Sequence, residues 1–591
     1  VHTSDGFSFF ANTSYRMRRD VGDAVQDYLS VEALGDVFDF YIWSGTPREA
    51  MTAYGTLTGL PIFPPEWVFE PWAGGGGGRW RNGPLQDIAL EQMAAMKKFH
   101  ELDIPHSGFY AEGAGATFYG EYKKEELYKV VSFGERHGFK VFSWQFPNMT
   151  QELAQELLPE CPKEELPITR NKNDEEEKLP VYIDFSHPRA KELLAAQWKD
   201  RMDAGIRGSM VDFGDVVPDE AVFYDGRRGD EMHNAYAYQY AKNYRELFEQ
   251  KYGDDHVLYT RGAAPGSQHF ACQFGGDQLT SFQGLKYAIA GGLSAAASGL
   301  PFWGVDAGGY DGFPDQETYL RWTEYAAFCP LMRFHGTEPR EPWEYDAFTV
   351  KVYRYYTWLR ENLRPYIVSV AAEAHKLGIP MMRPLAMMYP EDQEATKVWD
   401  EYLFGEDLLV APVSDETEER EIYFPEGRWI SLWNLNDEIS GPVQRSVEVP
   451  IDKIPVYIRE GSFLPLRLNE SLKLGESMSE SETEMILAVV PQNDSIVKET
   501  LYERSGAKTC CGMEKNGETI QLQISGRTAE LYVMLAGIHW KNTEAIVNGR
   551  TLTKVTAREG LYFTEGYLEL EEGILVKINP SAESVIKIQK K

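Results

Sequence analysis

The 591-residue chain carries 59 basic against 91 acidic residues, a formal net charge of -32, which excludes nucleic acid and anionic lipid surfaces as expected partners because both repel a strongly acidic protein. The length exceeds the ~250 residues of a single α/β barrel, so one large domain with smaller ones beside it is expected. No run of about 18 uncharged apolar residues occurs, so no membrane partner is expected either.

Residues 1–62 hold short alternating segments, 7–12 and 37–43, that read as strands of a β-sandwich too small to be complete. The expectation is a remnant or abbreviated N-terminal β-sandwich, or one whose remaining strands are removed or supplied by another chain, which leaves a homo-oligomer open. Thr46-Pro-Arg-Glu49 starts a helix, and Pro61, Pro64 and Pro65 mark a boundary.

From Trp67 onward, short apolar runs alternate with longer amphipathic segments, the pattern of repeated βα units and a parallel sheet. Strands are predicted at 67–72, 107–111, 140–144, 208–212, 257–261, 271–274, 302–306 and 330–335, eight being the number that closes a (β/α)8 TIM barrel over residues 63–378. A Pro-, Glu- and Lys-rich cluster within 148–180 breaks the rhythm and reads as an inserted excursion with a solvated charged face. After Gly378-Ile-Pro380 the helical pattern stops. Alternating strands with Gly, Pro and Asn turns predict a proximal C-terminal β-sandwich at 379–468 and a distal one at 469–591.

Catalytic groups of such a barrel come from the carboxyl ends of different strands. Those ends carry Trp72, Glu112, Trp144, Asp212, Arg261, Asp277, Asp306 and His335. Four carboxylates, an Arg, a His and two Trp make a carbohydrate-processing inventory. Acetal hydrolysis needs one carboxylic acid to protonate the leaving oxygen and one carboxylate to capture the oxocarbenium-like carbon. An aromatic content of 13% suits sugar faces as well as core packing. The five cysteines show no CxxC spacing, HExxH and GxSxG are absent, and Gly74–Gly78 lacks the phosphate-loop spacing. No cofactor and no metal are expected. The chain starts at Val1 without a charged, apolar leader, so a cytoplasmic location is expected unless a leader has been removed.

Ten segments in order carry a resemblance: Asp184-Phe-Ser-His-Pro188, Val211-Asp-Phe-Gly-Asp215, Met232-His-Asn-Ala-Tyr236, Tyr259-Thr-Arg261, Phe274-Gly-Gly-Asp-Gln278, Gly291-Gly-Leu-Ser294, Phe302-Trp-Gly-Val-Asp-Ala-Gly-Gly-Tyr310, Arg333-Phe-His-Gly336, Pro380-Met-Met-Arg-Pro384 and Phe404-Gly-Glu-Asp-Leu-Leu-Val-Ala-Pro-Val413. The chain resembles glycoside hydrolase family 31 from Trp67 to about Pro465. The resemblance implies an exo-acting, retaining α-glycosidase working by double displacement, with Asp212 as nucleophile and Asp277 as acid/base. It also implies Arg261, Asp306 and His335 as residues holding hydroxyls of the terminal sugar, with Trp144 and Phe274 as its apolar walls; Asp215 reads as a rim residue bonding the sugar or Arg261. The substrate class is a small oligosaccharide or glycoside ending in a neutral sugar, α-glucosides first and α-galactosides or α-xylosides next. A transglycosylase on the same site and a non-catalytic carbohydrate-binding protein on a barrel scaffold are the alternatives. Two departures bear on the sugar: residues 110–116 are short and small where the family carries an acidic or aromatic cluster, and the Arg and Trp motif of the sulfoquinovose-cleaving members is missing.

Overall fold

The structure, a computed structural model, describes residues 1–591 except 27, 36, 76–84, 112–113, 115–122, 171–180, 479–483, 494–495, 528 and 563. Its centre is an eight-stranded parallel sheet: β1 Trp72–Gly75, β2 Gly108–Ala111, β3 Lys140–Gln145, β4 Gly208–Val211, β5 Val257–Thr260, β6 Cys272–Phe274, β7 Trp303–Gly304 and β8 Arg333–Phe334. The strand order is β7-β6-β5-β4-β3-β2-β1-β8, and a parallel bridge between Gly304 and Leu331 joins the two ends into a nearly closed barrel. Every residue of β2, β4 and β5 is buried, as expected of a parallel sheet whose outer face lies under helices. Those helices are Leu85–Glu101, Lys124–Arg136, Ala190–Ala204, Gly229–Tyr252, Phe282–Ala297, Gln316–Ala327 and the long Ala347–Leu377. Only a short 3-10 turn, Ser267–His269, connects β5 to β6.

The first strand differs from expectation. Glu66–Phe69 is a 3-10 turn and the strand begins at Trp72. Pro71 lies inside the anticipated strand and has no N–H for a ladder, so pairing starts only after it. The shift carries Trp72 from the barrel mouth into the barrel interior. There its ring packs 4.9 Å from Phe142 and 5.6 Å from Tyr259, in space left by Gly108 and Gly208; a Cβ on Gly208 would sit 2.6 Å from Phe142. Between β3 and β4, Asn148–Met149 pairs with Val181–Tyr182 and Gln151–Leu157 forms a helix, while 171–180 lies outside the described residues.

The N-terminal segment forms two antiparallel pairs, Phe7–Asn12 with Asp39–Ser44 and Met17–Val21 with Leu29–Ala33. After the barrel comes one six-stranded antiparallel sheet built from Met382–Pro384 through Val456–Arg459. The strand Phe463–Leu468 pairs with Glu484–Val489 and so belongs to the next module, two six-stranded sheets enclosing a shared core that includes Leu487, Val533, Ile520 and Ile586. No helix among the described residues is long and apolar enough to cross a membrane.

Arg360 of the long helix locks the barrel seam from below. Fully buried, it donates to the carbonyls of Phe69 at 2.7 Å, Ala327 at 3.1 Å, and also Cys329 and Pro330, the chain segments that lead into β1 and β8. Replacing it leaves several buried carbonyls without donors, each a desolvation cost. Arg360→Met should lower unfolding stability by about 3 kcal/mol, measured as a shift of the urea midpoint followed by tryptophan fluorescence.

Candidate active site

Side chains alternate along a strand, so Gly208, Met210 and the residue just past β4, Asp212, share the inward side. The Asp212 amide continues the ladder onto the Gln145 carbonyl at 2.8 Å. Its carboxylate is buried and held from three directions: Oδ2 accepts Trp144 Nε1 at 2.9 Å, Oδ1 accepts the Phe213 amide at 2.7 Å, and Arg261 Nη1 lies 3.3 Å from Oδ1. The other guanidinium nitrogen donates to Asp215 Oδ1 at 3.2 Å, so Arg261 bridges two carboxylates. The backbone turns sharply here. Phe213 and Gly214 both have positive φ, 56° and 71°, and a Cβ on Gly214 would lie 2.5 Å from Tyr240, so only glycine fits there.

Asp277 lies on the loop after β6. Its side chain opens to solvent at the rim, and partial desolvation there, then the charge of Asp212, raises its carboxyl above the ordinary aspartate range, against the pull of Arg261 and Arg333. The dependence on Asp212 and on Arg261 puts both carboxyl groups in one electrostatic neighbourhood. The loop is tied to the one after β7: Gln278 Oε1 accepts the Asp306 amide at 3.2 Å and the Gln278 carbonyl accepts Tyr310 N at 2.9 Å. Asp306 is buried and its Oδ1 pairs with Arg333, itself buried between the rings of Tyr259 and Phe274. The second oxygen, Oδ2, is buried and has no hydrogen-bond donor among the described residues. His335 packs against Tyr110 and Tyr310, with centroids 4.4 and 5.5 Å away; burial first, then Arg333 and Arg340, keeps its imidazole well below the ordinary histidine range and therefore neutral. Among the described residues no cluster of three or more His, Cys, Asp and Glu could hold a metal ion.

Two family models match this chain: the glycosyl hydrolases family 31 TIM-barrel domain over residues 62–370, and the family's C-terminal domain over 378–464. The chain belongs to glycosyl hydrolase family 31. Among curated relatives, an isomaltosyltransferase of Sporosarcina globispora is 27% identical over 98% of this chain and 58% of its own. An alpha-xylosidase, XylQ, of Lactiplantibacillus pentosus is also 27% identical, over 78% of this chain and 62% of its own. A solved structure of a cycloalternan-forming enzyme from Listeria monocytogenes with a pentasaccharide superposes with a TM-score of 0.88 at 23% identity, covering 99% of this chain and 60% of that one. The chain thus spans about three fifths of the length of these relatives.

The family barrel brings Asp212, Trp144, Arg261 and Asp215 into direct contact, with Asp277 within reach of their charges. Arg333 pairs with Asp306, and its charge acts on both Asp277 and His335. Two expected site residues stand differently, and a third is not described. Trp72 is core, for the Pro71 and glycine reasons given above. Phe274 is buried with its ring 5.4 Å from Tyr259 and 5.1 Å from the Arg333 guanidinium, which leaves little of it to line a pocket. Glu112 lies outside the described residues, as does the glycine run beyond Gly75. The sequence pattern gave no role to Arg333, although it sits two residues before His335 and so on the same side of β8. Phe213 likewise carries no such signal, because nothing in a single sequence reveals a left-handed backbone at a phenylalanine.

The raised carboxyl of Asp277 has a consequence for stability. Protonation favours the folded chain, so this contribution is present below the unfolded carboxyl's pKa and is lost as pH rises through the folded one. Asp277→Asn, uncharged throughout, should therefore melt above the native protein at alkaline pH, the difference closing toward about pH 4; paired thermal melts across pH measure it.

Proposed function

We propose that this chain is the catalytic part of an exo-acting α-glycosidase that acts with net retention, Asp212 attacking the anomeric carbon and Asp277 protonating the leaving oxygen. The observation that carries the proposal is the asymmetry of the two carboxyl groups. Asp212 is held in place by an indole N–H, a backbone N–H and a guanidinium. Asp277, at the open rim and without a close ion pair among the described residues, is pushed toward its protonated form by partial desolvation and by Asp212 itself, as a general acid must be. When Asp277 gives up its proton the leaving group departs and Asp212 holds the sugar as an ester. Water then attacks the same carbon, its proton going to Asp277, and the ester C–O bond breaks to regenerate the Asp212 carboxylate. Asp306, whose Oδ2 has no donor among the described residues, and the neutral His335 are the residues proposed to hold hydroxyls of the terminal sugar.

Glucose is the sugar proposed for the terminal site, and glycosyl transfer is the second reading. That reading is favoured because the relative matching 98% of this chain is an isomaltosyltransferase. Transfer and hydrolysis share the ester on Asp212 and differ only in whether a sugar hydroxyl or water attacks it.

Azide rescue separates the two carboxyl roles. With aryl α-glucosides of good leaving group, Asp277→Ala plus azide should yield the α-glucosyl azide, because azide meets the ester from the side water normally uses. Asp212→Ala plus azide should yield the β-azide by direct displacement. The opposite pairing of variant and anomer, read by proton NMR, would reverse the assignment, and full activity of either variant without azide would end it. The same general-acid role predicts that kcat/KM falls as pH rises through the raised Asp277 pKa, and that this alkaline limb disappears in Asp277→Ala assayed with activated leaving groups.

A further inference from the structure

Phe213 combines three features that the two-carboxylate mechanism leaves unused. It is a bulky residue in the left-handed region, with φ 56°, a conformation that costs an L-residue of this kind about 1–2 kcal/mol and that persists where the surrounding structure enforces it. The residue is 43% exposed although it directly follows the buried Asp212. One face is occupied, because the Arg261 guanidinium lies 4.2 Å from the ring centroid, and Trp144 meets it edge-on at 6.2 Å. The backbone strain, the guanidinium and the indole together hold one aromatic face outward in a fixed orientation.

The neighbours show which side of the site that face serves. Arg261 reaches from Asp212 to the acid/base loop: a Cβ at Gly276, beside Asp277, would lie 3.0 Å from the Arg261 Cδ. Phe213, stacked on the same Arg261, thus shares that side chain with the loop of Asp277, the side on which the leaving group departs and the second nucleophile arrives. Two residues past Asp277, Leu279 is 57% exposed and adds a second apolar group to that side. An aromatic ring held beside the proton donor offers its face to the C–H surface of a sugar ring.

We infer that Phe213 is the platform on which the leaving sugar rests and on which an acceptor sugar then docks, and that it sets the balance between transfer and hydrolysis. The inference rests on the double-displacement reading proposed above. In the transfer step the acceptor hydroxyl oxygen bonds to the anomeric carbon, the ester bond to Asp212 breaks and returns the carboxylate, and the hydroxyl proton passes to Asp277. Phe213 takes no part in this exchange. It raises the residence of a sugar relative to water at the point of attack.

The test uses α-glucosyl fluoride as donor, whose leaving group is too small to touch the platform, with maltose as acceptor. Hydrolysis and transfer then partition from a common ester, so their ratio is independent of how fast that ester forms. Phe213→Gly, which suits the left-handed backbone and so folds, should lower the ratio of transfer to hydrolysis about tenfold, the loss of one stacked-ring contact. Phe213→Tyr should keep the native ratio. An unchanged ratio in Phe213→Gly, even with a lower overall rate, would show that the ring acts only by propping Arg261 and would overturn the inference. So would a native protein that hydrolyses the fluoride but transfers nothing to maltose. A native protein that does not consume the fluoride at all fails at the proposed activity, before the platform is engaged.

Discussion

Two carboxyl groups in one barrel mouth repel each other's charge, so one can stay ionised only if the other is discouraged from ionising or if cations intervene. The architecture of the site follows from that constraint. Arg261, from the strand next to that of Asp212, pairs with Asp212 and Asp215, while Arg333 pairs with Asp306. Asp277 keeps no ion pair of that closeness among the described residues and carries the raised carboxyl. Two guanidinium groups thus hold three carboxylates and leave Asp277 apart, the asymmetry on which the proposed division into attacking group and proton donor rests.

The barrel makes this distribution possible by bringing strand ends from distant parts of the chain onto one rim. β4 and β5 are adjacent and parallel, in register from Gly208 with Val257 to Val211 with Thr260, which sets Asp212 and Arg261 side by side. The ends of β6 and β7 are held together by Gln278. Beneath the rim, Trp72 and Phe142 fill the interior opposite glycines, so the floor of the site is a packed core. The proximal sheet attaches through buried guanidinium groups as well. Arg321 donates to carbonyls of Val449 and Pro450, and Arg383 of the proximal sheet meets Glu373 of the long helix. An arginine can satisfy several carbonyls or carboxylates at once, which suits it to joining elements that are not paired strand to strand.

Much of this was legible in the chain before folding. Alternating apolar and amphipathic segments determined the (β/α)8 class, because a parallel sheet covered by helices requires that periodicity. Residues at the ends of apolar runs determined the inventory of carboxylates, and the ordered motifs around Asp212 and Asp277 determined the family. Pro71 also contained the correct start of β1, since a residue without an N–H cannot sit within the ladder.

Tertiary structure alone decided the rest. The fate of Trp72 depended on empty space created by glycines on other strands, and that of Phe274 on Tyr259 and Arg333 closing around its ring. The left-handed turn at Phe213 and Gly214 arises where β4 ends against Tyr240 and Arg261, a condition without any local signature at phenylalanine. Alternation along a strand is a local property and can be read from one segment, whereas which charge meets which depends on strand order and register across the barrel, and these exist only once the chain has closed on itself.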